Sequence, residues 1–429
     1  MGHPVHRLQA EGPLGVTDPR VPRVLVIVCD SWGVGDAPDA GAYGDEGADT
    51  MAHTARAVGG LDAPNLAGLG LGLLTDVLGV EPRADTGTAH GRATERSAGK
   101  DTTTGHWEMM GIRLDRPFPL YPEGFPPEII DPFEAAVGRA VLGNRPASGT
   151  EIIAELGEEH LRTGRPIVYT SGDSVFQVAC HTQIVPLQQL YEWCRIARRL
   201  LTGDHTVGRV IARPFDGEPG AFVRRPERRD FAVPPPGPTV LDRLVEAGVA
   251  VFGVGKIQDI FSGQGITEAR YSASNDDGVD LTLDYLARPG PALVFSNLVD
   301  FDSKYGHRND PAGYGAAIEG FDRRLPELLR SLDGGVLVIT GDHGCDPTTV
   351  STDHTRERTP LLMAGLSGGP FDLGTRQSFG DLGHTVAALL GVEVEGLDGA
   401  SFLDRLDLDP RPQGEDGVMG SVSPGGPGA

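Results

Sequence analysis

The chain predicts an α/β fold: a mainly parallel sheet flanked by helices, interrupted by a small α+β insert. Three observations carry that expectation. Apolar runs at 24–29, 292–299 and 335–339 have the length and composition of buried parallel strands, and each is followed by acidic residues. Segments with helical spacing lie between them. Two proline-rich crossings, 117–127 and 231–238, enclose a stretch of mixed strands and helices.

In chain order, Val24-Leu25-Val26-Ile27-Val28-Cys29 ends in Asp30 and leads into Ser31-Trp32-Gly33-Val34-Gly35. Two glycines so near a strand end suggest tight turns close to a ligand, although a G-x-G alone is weak evidence for a phosphate loop. Short helical pieces are expected at 53–58 and 64–69. The loop Gly99-Lys100-Asp101-Thr102-Thr103-Thr104-Gly105-His106 sets hydroxyls beside Lys, Asp and His, which suits a nucleophile. A threonine-rich turn bonding its own backbone is the alternative. The insert is expected to hold a helix near 150–158, a strand at 166–170, a helix near 187–201 and a strand at 208–213. Its charge run at 224–229 reads as solvated surface. The prolines of 231–238 can continue neither a helix nor a central strand, so they mark the exit.

Beyond the exit come a helix at 239–247 and a strand at 249–256 that ends at Lys256. An amphipathic helix is expected over 314–332, with Ile318, Phe321, Leu325 and Leu329 on one face and Pro326 kinking or dividing it. The last helix is expected to run to Leu390 with Asp381 as its cap. These limits divide the chain into a core, 21–116 with 234–408, and a cap, 117–233. Residues 1–20 read as a loose start, and 409–429, rich in Gly, Pro and Ser, as a disordered tail.

A length of 429 residues suits two or three domains at ~150 residues each. With 39% hydrophobic and 23% charged residues the composition is that of a globular protein. A formal charge of −23 argues against nucleic-acid or anionic-membrane surfaces as partners, since both call for basic patches. No apolar run reaches the length of a signal peptide or a membrane span. The four cysteines, Cys29, Cys180, Cys194 and Cys345, form no C-x-x-C and no disulfide framework, which fits a reducing cytoplasm.

The chemistry gathers at the strand ends. Asp30 closes the first run; Asp300-Phe301-Asp302, with His307 behind, closes the second. The third leads into Thr340-Gly341-Asp342-His343-Gly344-Cys345-Asp346 and then Thr352-Asp353-His354-Thr355-Arg356-Glu357. Any one such Asp also serves as a turn former or helix cap, but three runs repeating the pattern point to the ligand-binding edge of a parallel sheet. Mixed Asp and His ligands favour Mn²⁺, Zn²⁺ or Fe²⁺ over Ca²⁺, and six of them suit two ions. Two metals clamp the attacking and leaving oxygens of a phosphoryl transfer.

From about Val24 to Leu406 the chain resembles the bacterial phosphopentomutases, metalloenzymes of the alkaline phosphatase superfamily. Gly99-Lys100-Asp101-Thr102, Thr104-Gly105-His106-Trp107-Glu108, Asn297-Leu298-Val299-Asp300-Phe301-Asp302, Asp342-His343-Gly344 and Thr352-Asp353-His354-Thr355-Arg356-Glu357 carry the resemblance. It implies an alkaline-phosphatase-like core with a small cap, and two Mn²⁺ per chain. Asp302, His307 and His354 would hold one ion; Asp30, Asp342, His343 and the Thr102 hydroxyl would hold the other. Thr102 would carry phosphate. Ser171 and Asp173 would meet the ribose, and Arg209 and Lys256 the distal phosphate, with ordinary solvated charge as the alternative for the last two. The implied reaction interconverts ribose or deoxyribose 1-phosphate and 5-phosphate through a pentose bisphosphate, started by a sugar bisphosphate activator such as glucose 1,6-bisphosphate. Gly172, Gly341 and Cys345 stand where some members carry Ala, Ala and Asn. A phosphoglycerate mutase or phosphatase is the alternative within the superfamily, though these commonly use Ser where this chain has Thr102. A metal-binding protein without turnover is the alternative outside it. Oligomeric state is not legible in the sequence.

Overall fold

Alternation along the first strand shows how the core is built. β1 (Arg23–Cys29) sends Leu25, Ile27 and Cys29 into one apolar layer and Val24, Val26 and Val28 into another, so both faces of its sheet are covered. The strands that follow are β2 (Thr88–Ala93), β3 (Leu142–Pro146), β4 (Ile167–Thr170), β5 (Val175–His181), β6 (Arg209–Asp216) and β7 (Val223–Arg224). After them come β8 (Arg229–Ala232), β9 (Ala250–Val254), β10 (Glu268–Arg270), β11 (Ala292–Leu298), β12 (Val336–Thr340), β13 (Thr359–Ala364) and β14 (Phe371–Arg376). The computed structural model describes residues 21–171 and 174–407. The expected loose start and disordered tail lie outside the described residues.

The main sheet has the order β10-β9-β11-β1-β12-β13-β2-β14. Its neighbours pair in parallel except on the two sides of β13, which runs against both β12 and β2. The three acid-ended runs are therefore the adjacent strands β11, β1 and β12, and their carboxyl ends share one edge. Because β13 points the other way, it starts on that edge too. The segment from β12 to β13 thus begins and ends there.

Helices Thr50–Val58, Pro64–Leu69, Asn275–Leu286 and Pro311–Arg330 pack on the Leu25 side, and Thr102–Met109, Val240–Glu246 and Gly380–Leu389 on the Val24 side. Two sequence expectations need correction. Pro326 does not divide its helix, which runs from Pro311 to Arg330 with Asp310 capping it through the Gly313 N–H. A proline there removes the helical bond to the Asp322 carbonyl, and Asn65 Nδ2 donates to that carbonyl instead, at 3.0 Å. Asp381 is not a cap: it lies inside Gly380–Leu389, and its carboxylate accepts from the Ala400 N–H at 2.9 Å and from Arg376 Nε at 2.7 Å.

The second sheet has the order β3-β4-β5-β6-β7 with β8 also on β6. It mixes parallel pairs (β3 with β4, β5 with β6) and antiparallel ones (β4 with β5, β6 with β7 and β8). Its expected helices are present as Gly149–Thr163, longer than expected at its carboxyl end, and Leu187–Leu200. Phe125, Phe133, Phe176 and Trp193 centre a core of its own.

Candidate active site

The three acid-ended strands bring their side chains to the shared edge in different ways. Asp30 follows β1 directly, and the next residue, Ser31, has φ +75°, a conformation costly for anything but glycine. That turn aims the Ser31 N–H at Asp342 Oδ1, 3.0 Å away, and the Tyr314 hydroxyl secures it by donating to Ser31 O at 2.9 Å. Asp302 lies in a π-type turn, Phe301–Tyr305, behind β11, and His307 in the 3₁₀ turn Gly306–Arg308 after it. Asp342 and His343 follow β12, and His354 comes on the segment that returns to β13. Thr102 opens the helix Thr102–Met109, whose cap Asp101 accepts from the N–H groups of Thr103 and Thr104.

These elements bring all seven expected ligands together. Asp302 Oδ1 is 3.3 Å from His307 Nε2 and 3.4 Å from His354 Nε2, and the two imidazole nitrogens are 3.1 Å apart. Beside them His343 Nε2 lies 3.4 Å from Asp30 Oδ1, 3.5 Å from Asp342 Oδ2 and 3.2 Å from Thr102 Oγ1. His343 also faces the first group, since its ligand atom, Asp302's and His354's all lie within 4.8 Å of one another.

The residues fit divalent cations. Asp30 Oδ1, Asp302 Oδ1 and Asp342 Oδ2 are buried without a well-formed hydrogen bond, which is unfavourable unless positive charge faces them. Burial alone would raise the Asp302 carboxyl, yet His307 and His354 hold it well below the usual range. Against the same effect of burial, His343 and His106 hold Asp342 down to about 2. His343 is pushed up, because Asp342 and Asp30 outweigh the burial that would lower it. Carboxylate oxygens and imidazole nitrogens together suit a transition-metal or zinc ion rather than an all-oxygen Ca²⁺ site.

Several neighbours were not singled out from sequence. His106 is fully buried, its Nδ1 2.8 Å from Thr102 O and 3.3 Å from Asp342 Oδ2, and Asn297 Nδ2 donates to Asp30 Oδ2 at 3.2 Å. Both sit in quoted motifs, so a buried polar residue beside a ligand was the available signal. Gly33 makes room for Glu357: a Cβ there would fall 2.1 Å from Glu357 Oε2. Burial pushes the Glu357 carboxyl up to about 7, and it accepts from the Thr50 N–H and the Thr50 and Thr355 hydroxyls.

The expected substrate residues are more dispersed. Lys256, just past β9, puts Nζ 3.3 Å from Asp30 Oδ2; burial alone would lower its ammonium, but Asp30 and Asp302 push it up. Arg209 opens β6 on the second sheet, with Nη1 3.7 Å from Asp230 Oδ2, close enough for its charge to act on Lys256. Ser171 follows β4 and is half-buried, and Asp173 lies outside the described residues. Among the described residues no helix is long and apolar enough to cross a membrane.

Residues 22–394 match the family model of the Metalloenzyme superfamily. A phosphopentomutase of Kosmotoga olearia is 57% identical over 375 residues, which cover 86% of this chain and 96% of that protein. One from Anaeromyxobacter dehalogenans strain 2CP-C is 58% identical over 383 residues, covering 89% and 97%. Among solved structures, Leishmania mexicana phosphoglycerate mutase is 12% identical with a TM-score of 0.45, covering 92% of this chain and 99% of that one.

Proposed function

The chain belongs to the phosphopentomutase family of the Metalloenzyme superfamily, and from that premise we propose that it exchanges phosphate between the 1- and 5-positions of ribose or deoxyribose through a phosphothreonine at Thr102. The observation that carries the reading is the place of Thr102 Oγ1: 3.2 Å from His343 Nε2, beside three buried carboxylates each with one oxygen that has no well-formed hydrogen bond. In this reading Asp302, His307 and His354 hold one Mn²⁺, and Asp30, Asp342, His343 and Thr102 hold the second. Bound there, the cations would lower the pKa of the reacting hydroxyl and screen the charge of the phosphoryl group in transfer.

The chain's own residues do the rest. Phosphorylated Thr102 gives its phosphoryl group to the free hydroxyl of a pentose monophosphate: the P–O bond to Thr102 breaks, a P–O bond to the sugar forms, and the hydroxyl proton ends on the Thr102 oxygen. The resulting pentose bisphosphate turns round and returns its other phosphoryl group to Thr102, leaving the isomeric monophosphate. A sugar bisphosphate such as glucose 1,6-bisphosphate supplies the first phosphoryl group. Thr102 stands at a helix amino end, where the helix dipole favours an anion. Lys256 and Arg209 are the cations assigned to the distal phosphate, and Ser171 and Asp173 the contacts to the ribose. Pentose phosphates are anions that do not cross a bilayer unaided, which supports a cytoplasmic site of action.

A mutase must keep water from the phosphothreonine while admitting a sugar phosphate, and the insert is the means we assign to it. Thr102→Ala is expected to abolish turnover while Mn²⁺ still binds through the other ligands. In the wild type, label on Thr102 should pass to ribose 5-phosphate far faster than to water. Inorganic phosphate as the main product at saturating pentose phosphate would make the protein a phosphatase instead.

A further inference from the structure

Arg356 is among the largest side chains wholly withdrawn from solvent, 2% exposed, and it touches none of the residues assigned to metal or substrate. A guanidinium has five N–H donors in a rigid plane, and here every one is used. Nε and Nη2 donate to the two oxygens of Asp39 at 3.1 and 3.0 Å. Nη1 donates to Glu95 Oε2 and to the Gly99 carbonyl, and Nη2 also donates to the Glu95 carbonyl at 2.8 Å. The Tyr43 ring closes one face, 4.9 Å from the guanidinium carbon.

What gives these bonds meaning is which segments they join. Asp39 lies on the loop that leaves Asp30. Glu95 and Gly99 lie on the loop that ends at Thr102. Arg356 is two residues beyond His354. A second carboxylate, Asp45, repeats the arrangement: its Oδ2 accepts from the Arg356 N–H at 2.9 Å and lies 3.0 Å from Lys100 Nζ, which is itself 3.5 Å from Asp353. One cation thus bolts together three loops that carry members of the site, and its own loop lies more than 250 residues along the chain from the other two.

We infer that Arg356 is a positioning residue for phosphoryl transfer: it sets the distance between the Thr102 hydroxyl and the metal-binding side chains without meeting substrate or metal. The inference rests on Thr102 as the phosphate carrier. A lysine in its place keeps the charge but has no plane of donors to span Asp39, Glu95 and Gly99 together. A displacement of about 1 Å at a reacting group is enough to cost about 100-fold in rate.

The test compares wild type, Arg356→Lys and Asp39→Asn, all loaded with Mn²⁺. Three quantities are read: the rate at which labelled glucose 1,6-bisphosphate phosphorylates Thr102, kcat and KM for ribose 1-phosphate, and Mn²⁺ per chain. Arg356→Lys should phosphorylate Thr102 and turn over about 10- to 100-fold more slowly, with KM and metal content held. Asp39→Asn, at a half-exposed partner, should show the same split to a smaller degree, and it decides the matter if Arg356→Lys does not fold. Wild-type phosphorylation rates in the folded variants would overturn the inference, as would a loss confined to KM. A wild type that turns over with no label on Thr102 would overturn the reading beneath it instead.

Discussion

Asp302 bears much of the charge balance of the site, facing His307 and His354 at 3.3 and 3.4 Å with an oxygen that has no well-formed hydrogen bond. Replacing it with Ala should lower bound Mn²⁺ from two ions to one by elemental analysis and cut turnover by orders of magnitude, with the unfolding transition little moved. Cys345 is a sharper case, because its sulfur lies within 4.8 Å of ligand atoms of Asp302 and His307. Burial pushes that thiol well up, and it donates to the Asp353 carbonyl at 3.6 Å, so we expect it to be neither thiolate ligand nor nucleophile. Cys345→Asn is expected to keep both ions and most of the turnover; metal loss in that variant would refute this. The candidate ligands Asp30, Asp302, Asp342 and His343 were legible because each follows its strand within a few residues, a signal local in sequence; His307 and His354 were read as imidazoles behind those acids, and Thr102 entered by resemblance. Arg356 was not, although its motif was in view: its partners Asp39 and Glu95 lie 317 and 261 residues away, and no local rule joins them.

At the scale of elements, strands and helices whose apolar spacing is strong are found where the pattern puts them. The failures are places where a distant side chain overrides a local rule. Pro326 stays inside a continuous helix, and Asn65, 257 residues from Asp322, satisfies the Asp322 carbonyl that the proline frees. His160 is a comparable device between the helix Gly149–Thr163 and β5: Nδ1 is 2.6 Å from the Arg165 carbonyl, and Nε2 accepts from the His181 N–H at 2.9 Å. The bond that Nε2 accepts needs the neutral ring, and burial lowers the pKa from 6.5 although the Arg165 carbonyl pulls it up. The unfolded chain then binds the extra proton first as pH falls. Stability is whole above about 6.5 and declines below it, by at most ~1.4 kcal/mol per pH unit. Urea unfolding at pH 7.5 and 5.5 should show that slope in the wild type and a flatter one in His160→Phe. Equal slopes would mean that this ring is not the source.

For the whole molecule, β3 to β8 form a sheet with a separate apolar core, reached and left through the proline-rich crossings. The two crossings meet at a cavity of about 380 Å³ lined by Trp107, Phe118, Pro119, Thr206, Val233 and Pro234. We expect residues 117–233 made alone to unfold in one cooperative transition; a chain lacking one would mean that the insert depends on the main sheet for its structure. The main sheet's polarity has a different consequence. The chain enters the described fold at Val21, whose N–H meets the Leu389 carbonyl just before β1, and leaves at Asp407, whose carbonyl accepts from Ser367 just past the end of β13. Both places lie at the edge opposite the metal ligands. Tethered to a bead or an electrode beside Val21 or Asp407, each copy would have the full depth of the sheet between anchor and chemistry.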